Sequence, residues 1–224
     1  MRVAGLRVGY GPWLAASDVG RLEALKWLAF AAMVIDHAAL AWPGSVPIEA
    51  RLIGRFAFPV FCLTFGLGLA QSSSPGQVAA RLLLPGVLAQ VAWVFVQTSH
   101  PVNMLLVFAA CAAAVQLYRS PRWWWTAGFL LGPVCVFGEG MVFSVALVFA
   151  GMAAGAHRTV WPILLSGLAW WFVAPSIGVV VAVVAVAVWS SEWPRVPRIR
   201  GLLAWGYALH LLGFGALVAA GVGK

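Results

Sequence analysis

Charged side chains are nearly missing from this chain. Asp, Glu, Lys and Arg make up 9% of its 224 residues, whereas 63% are hydrophobic. A water-soluble domain of this size carries roughly a quarter charged residues. With so little polar surface the chain cannot wrap itself for water, and the solvent that suits it is lipid. No stretch is polar enough to form a separate soluble domain, so the membrane reading extends over nearly the whole sequence.

The apolar segments are Leu22–Trp42, Leu52–Ala70, Val78–Thr98, Val102–Tyr118, Trp123–Phe137, Met141–Ala156, Val160–Ala174, Ser176–Ser190 and Leu202–Val222. Crossing the hydrocarbon core takes about 20 helical residues, with a range of about 17 to 25. The first three segments and the last meet that length, while the four from Trp123 to Ser190 are short. The fold class expected is all-α, a polytopic transmembrane helical bundle of about nine helices, with eight the nearest alternative. The residues before Leu22 have no apolar core and do not read as a cleavable signal peptide. They are expected to form a cytoplasmic arm, residues 1–21, ahead of a single membrane domain, residues 22–224.

Loop charge favours nine crossings with the N-terminus inside. That arrangement puts Arg2, Arg7, Arg21, Lys26, Arg81, Arg119, Arg122, Arg158, Arg195, Arg198 and Arg200 on the cytoplasmic side, and leaves Arg51 and Lys224 on the other. The bias follows the positive-inside rule. The net charge of +8 is therefore topogenic, and no nucleic-acid face is expected. Trp42, Trp123, Trp124, Trp125, Trp161 and Trp193 lie near segment ends, as interfacial tryptophans do. Gly66–Gly68 and Gly151–Gly155 are small enough for close helix contact. Cys62, Cys111 and Cys135 lie within apolar runs and form no CxxC, so they read as buried hydrophobes and no metal site is expected.

The informative residues are the ionisable ones inside spans, because each costs roughly 2.5 to 3.5 kcal/mol at mid-bilayer unless paired or hydrated. The first span carries Asp36 and His37. Neighbouring helical residues point about 100° apart, so Asp36 is expected to reach a different helix, with Arg55 its natural partner. One reading is a structural ion pair. The other is a site in which His37 acts as a general base and Asp36 sets charge or orientation. Arg55 can equally snorkel to the interface, and Pro59 is expected to bend the second helix. In the nine-span topology Asp36, His37, Arg55, His100, Asn103 and Glu139 all fall on the periplasmic half, which favours one cavity opening to that face. His210, alone in the last helix, reads first as a core histidine. Arg81 reads as a topogenic anchor or a phosphate contact.

Two stretches resemble a known family. Lys26-Trp-Leu-Ala-Phe-Ala-Ala-Met33-Val-Ile-Asp36-His37 is similar to the opening signature of the TraX/TrbP proteins of conjugation systems, and Ile53-Gly54-Arg55-Phe-Ala-Phe58-Pro59-Val-Phe61 is similar to their second. Arg81-Leu-Leu-Leu, Asn103-Met-Leu-Leu and Gly138-Glu139-Gly140 resemble looser positions. Tyr207-Ala-Leu-His210-Leu resembles the terminal pattern, without the Tyr-Pro step usual there. The resemblance runs from about residue 22 to 215. It implies an inner-membrane acetyltransferase that moves acetyl from acetyl-CoA to the N-terminal amine of a processed pilin subunit in conjugal pilus biogenesis.

The expected site follows from that chemistry. His37 would take a proton from the amine and Asp36 would stabilise the imidazolium. Arg55 or Asn103 would hold the oxyanion, with Glu139 in the same set and His100 and His210 as further candidates. Arg81, Arg119 and Arg122 would meet the phosphates of acetyl-CoA arriving from the cytosol. The alternatives are an O-acetyltransferase of an envelope glycan, a proton-coupled transporter, or a non-catalytic assembly factor.

Overall fold

The computed structural model describes residues 16–42, 44, 47, 54–96, 102–120, 122–137, 141–157, 161–173, 196, 197, 199 and 201–222. Among these residues every regular element is an α-helix. In chain order they are α1 (Ala16–Ala41), α2 (Ala57–Ala70), α3 (Pro75–Val96), α4 (Met104–Tyr118), α5 (Thr126–Phe137), α6 (Met141–His157), α7 (Trp161–Val173) and α8 (Leu202–Ala219). Each falls on one of the nine apolar segments. The remaining segment, Ser176–Ser190, lies outside the described residues, as do His100 and Glu139.

Two boundaries correct the sequence reading. Helix α1 starts at Ala16, inside the stretch expected to be an arm, although its apolar span begins at Leu22. Ser17 and Asp18 are residue types that suit a first turn, where backbone N–H groups lack intrahelical partners. Helix α2 is shorter than the segment that contains it, because Arg55 and Phe56 form a turn before Ala57. Pro59 is then the third residue of α2. An N–H there has no intrahelical acceptor, so this proline opens the helix rather than bending it.

Length divides the helices into two groups. Leu22–Ala41, Pro75–Val96 and Leu202–Ala219 are long and apolar enough to cross a membrane. Helices α2, α4, α5, α6 and α7 have 14, 15, 12, 17 and 13 residues. At 1.5 Å per residue they rise about 18 to 26 Å, short of a roughly 30 Å hydrocarbon core. The packing order is α1 on α2, α2 on α6, α6 on α5, α5 on α4, α4 on α3, α3 on α8, and α8 back on α1. The chain thus closes a ring in which its first and last described helices are neighbours, with α7 against α6 outside it.

Glycine makes the contact between α2 and α6. A Cβ on Gly66 would meet the backbone nitrogen of Met152 at 2.8 Å, one on Gly151 the backbone of Leu63 at 3.1 Å, and one on Gly155 the Cβ of Ala70 at 2.9 Å. The two backbones touch directly, as small-residue spacing in lipid allows. The outward faces are apolar instead of charged: on α3, Leu84, Val91 and Phe95 are all more than half exposed. That inversion of the soluble pattern identifies a membrane protein. Cys62 and Cys111 are buried, Cys135 is partly buried, and all three are free thiols.

Candidate functional site

The three long spans meet one another, and the meeting point holds two imidazoles. Helix α8 runs parallel to α1. Phe30 lies against Gly206, where a Cβ would stand 3.2 Å from the ring, and Trp42 Nε1 donates to the carbonyl of Val222 at 2.7 Å. Between these contacts, His37 Nδ1 lies 2.7 Å from His210 Nε2, although the residues are 173 apart in sequence. The ring planes differ by 7° and the centroids are 5.0 Å apart. With facing nitrogens at hydrogen-bond distance, that separation belongs to two rings lying edge to edge in nearly one plane, the direction of the ring N–H and lone pair. His37 is 2% exposed, and His210 is partly buried.

Aromatic rings fix the pair in place. Trp93 of α3 lies 5.0 Å from His37, and Tyr207 lies 6.0 Å from His37 and 5.5 Å from His210. Phe30 and Phe214 stand edge-to-face with His210 at 5.6 and 5.7 Å. Trp93 is 1% exposed, and its indole Nε1 has no hydrogen-bond partner among the described residues. A buried indole N–H ordinarily finds an acceptor. Here an unused donor stands beside the imidazole pair.

The expected pairing of Asp36 with Arg55 is not observed among the described residues. The Cβ and Cγ of Asp36 lie over Gly54, so close that a Cβ on Gly54 would sit 2.9 Å from the Asp36 carboxyl carbon. The missing side chain at Gly54 is what lets the turn approach α1. The next residue, Arg55, is exposed. A turn therefore separates the two side chains that adjacency in the motifs suggested would meet.

Asn103 is a scaffold residue. It caps α4, its side-chain oxygen accepting from Leu105 N at 3.0 Å and Leu106 N at 3.3 Å. Its amide nitrogen donates to the Gly86 carbonyl at 2.8 Å and to Gln90 Oε1 at 2.9 Å. Gln90 Oε1 also accepts from the Asn103 backbone N–H at 2.8 Å. The side chain is fully buried and both amide hydrogens are used within the protein, so the oxyanion role expected for it has no donor left.

Arg81, Arg119 and Arg122 are exposed at the opposite end of the bundle. Arg119 Nη1 donates to the Ser72 carbonyl at 3.0 Å, and Gly76 N donates to Gln116 Oε1 at 3.2 Å. These bonds set the start of α3 beside the end of α4. Arg122 lies 5.9 Å from the ring centroid of Trp123. From Arg81 to Trp93 there are twelve residues of α3, about 18 Å of helix rise. The basic end and the imidazole pair are thus separated by more than half the bilayer core.

Sequence reasoning ranked His210 below the residues around Asp36 and missed Trp93 and Gln90. For Trp93 a signal exists. It lies within the apolar segment Val78–Thr98, and an indole N–H in lipid needs a partner.

The family described as TraX protein matches residues 21–218. Protein TraX of Escherichia coli is 32% identical over 115 residues, covering 50% of this chain and 46% of that protein. Adhesion G-protein coupled receptor D1 of Homo sapiens is 26% identical over 195 residues, 84% of this chain but 21% of the receptor, and the Bos taurus receptor is 25% identical over 20% of its length. The chain therefore spans under half the length of each of these relatives. No solved structure matches.

Proposed function

The chain belongs to the TraX family, and on that premise we propose that it is an inner-membrane acetyltransferase acting on the N-terminal amine of a conjugative pilin subunit, with acetyl-CoA as the acetyl donor. The observation that carries the reading is the buried His37–His210 pair at the junction of the three long spans. Histidine is the side chain suited to moving protons near neutral pH, and lipid-embedded imidazoles facing each other are costly to keep without such a use.

An α-amine with a pKa of about 7.7 to 8.0 is largely protonated at neutral pH, and bulk water takes the first of those protons. The neutral nitrogen attacks the thioester carbonyl carbon. His37 accepts the second proton as the new carbon–nitrogen bond forms, and the carbon–sulfur bond then breaks. The proton on His37 leaves with the sulfur as the CoA thiol. The indole N–H of Trp93 is the donor in reach for the carbonyl oxygen, in place of Asn103. Arg81 and Arg122 make no hydrogen bond among the described residues and can meet phosphates at the far end, and Arg119 retains further guanidinium donors there.

The parallel course of α1 and α8 supports nine crossings rather than eight. Two spans that end on the same side enclose an odd total, and Trp42 at the end of α1 is bonded to Val222 at the end of α8. With the N-terminus inside, the imidazole pair lies toward the periplasmic ends, where a pilin N-terminus is exposed.

The test is intact-mass spectrometry of the cognate pilin co-expressed with the native chain or with His37→Ala. A gain of one acetyl group only with the native chain is the expected result. Unmodified pilin in both cases, with the chain folded in the membrane, would overturn the reading.

A further inference from the structure

We propose that His210 is a positioning residue that fixes the tautomer of His37 and leaves His37 Nε2 as the bare, proton-accepting nitrogen. The argument starts at the backbone of α8. His210 Nδ1 lies 3.1 Å from the carbonyl oxygen of Gly206. A carbonyl only accepts, so Nδ1 carries the hydrogen and donates it. In a neutral imidazole with Nδ1 protonated, Nε2 is a lone pair. His210 Nε2 faces His37 Nδ1 at 2.7 Å, so the hydrogen between them belongs to His37 Nδ1. His37 Nε2 is then the unprotonated nitrogen, and it makes no hydrogen bond among the described residues.

The order of groups is carbonyl, imidazole, imidazole, free lone pair. It has the logic of a catalytic triad, in which a fixed acceptor holds the base in one tautomer and stabilises it as it gains charge. The near-coplanar rings align donor with lone pair along the whole chain. When His37 Nε2 takes a proton, the Nδ1 hydrogen can shift to His210 Nε2, so the positive charge spreads over both rings. Phe30, Tyr207 and Phe214 stand around His210 within 6 Å, close enough for their ring quadrupoles to act on that charge. The parallel packing of α1 on α8, with Phe30 against Gly206, makes this possible. Gly206 serves twice, as the acceptor for His210 and as the small residue that admits Phe30.

This proposal rests on His37 being the base, and its test separates the two claims. The chain has four histidines, so nitrogen-15 labelling of histidine gives a spectrum that single substitutions can assign. In the native protein His37 is expected to show a protonated Nδ1 and an unprotonated Nε2. His210→Gln, whose side-chain oxygen can still accept, should retain that pattern and most of the pilin acetylation. His210→Leu should lose the pattern, with His37 shifting toward the Nε2–H form, and acetylation should fall on the order of 100-fold or more. A native His37 protonated at Nε2, or a tautomer unchanged in His210→Leu, would overturn the proposal whatever the activity. The expected nitrogen pattern without any pilin acetylation would sink the acetyltransferase reading and leave the histidine pair standing.

Discussion

Two interfaces of this bundle solve the problem of helix packing in lipid in opposite ways. Between α2 and α6 side chains are removed: Gly66, Gly151 and Gly155 let backbone touch backbone. Where α1, α3 and α8 meet, the gap is filled with large polar-tipped rings: His37, Trp93, Tyr207 and His210. The first contact gains dispersion over a seam of small residues. The second combines close approaches at Gly206 and Gly215 with ionisable groups placed where lipid makes them expensive. The scaffold interface and the site interface are therefore separate faces of one ring, and a substitution should affect stability or chemistry according to which face it enters.

The largest effect is expected at the glycine seam. Gly151→Leu would drive a side chain into the backbone of Leu63, where no rotamer can yield, and should cost more than about 3 kcal/mol. The measurement is the fraction of monodisperse protein recovered in detergent and its unfolding midpoint, and an unchanged midpoint would remove the distinction between the two faces. Next comes His37→Gln at the other interface. Pilin acetylation should drop by about 10² to 10⁴-fold while the unfolding midpoint stays near that of the native chain. A large loss of stability with activity per folded molecule intact would assign the imidazoles to packing.

Asn103 belongs between the two. Asn103→Ala removes a helix cap and leaves Gly86 and Gln90 without its amide, so a loss of about 1 to 3 kcal/mol is expected. Activity per folded molecule should be close to native, as measured by acetylation normalised to folded protein. The smallest effect is at Arg55, exposed in the turn before α2. Arg55→Gln should move stability by no more than about 0.5 kcal/mol in a denaturation series. A shift above that would show that Arg55 takes part in the packing of the turn.

What could be read in the sequence follows the same division. Helix positions were legible because a lipid-facing helix needs an unbroken apolar run: candidate spans start at Leu22 and Leu202 as expected, and at Pro75 where Val78 was expected. The glycine seam was legible as well, since Gly66 and Gly151–Gly155 have no other reason to be small in mid-span. The site was legible only in part. His37 stood out as an ionisable group in lipid, but its partner came from a helix 173 residues away, and no spacing rule reaches that far. The Asp36–Arg55 pairing was inferred from proximity of motifs, and a turn at Arg55–Phe56 undid it. Asn103 looked available for chemistry because a sequence cannot show that both its amide hydrogens are already engaged at Gly86 and Gln90.

The closure of α8 against α1 also sets a clock. A ribosome adds roughly 5 to 20 residues per second, and 173 residues separate the two imidazoles. Roughly 9 to 35 seconds therefore pass between the synthesis of His37 and that of His210. Through that interval α1 holds a histidine with no imidazole opposite it, and a nascent chain arrested ahead of α8 lacks the histidine pair. If the proposed chemistry holds, activity waits on the synthesis of α8, because the histidine pair does not exist before it.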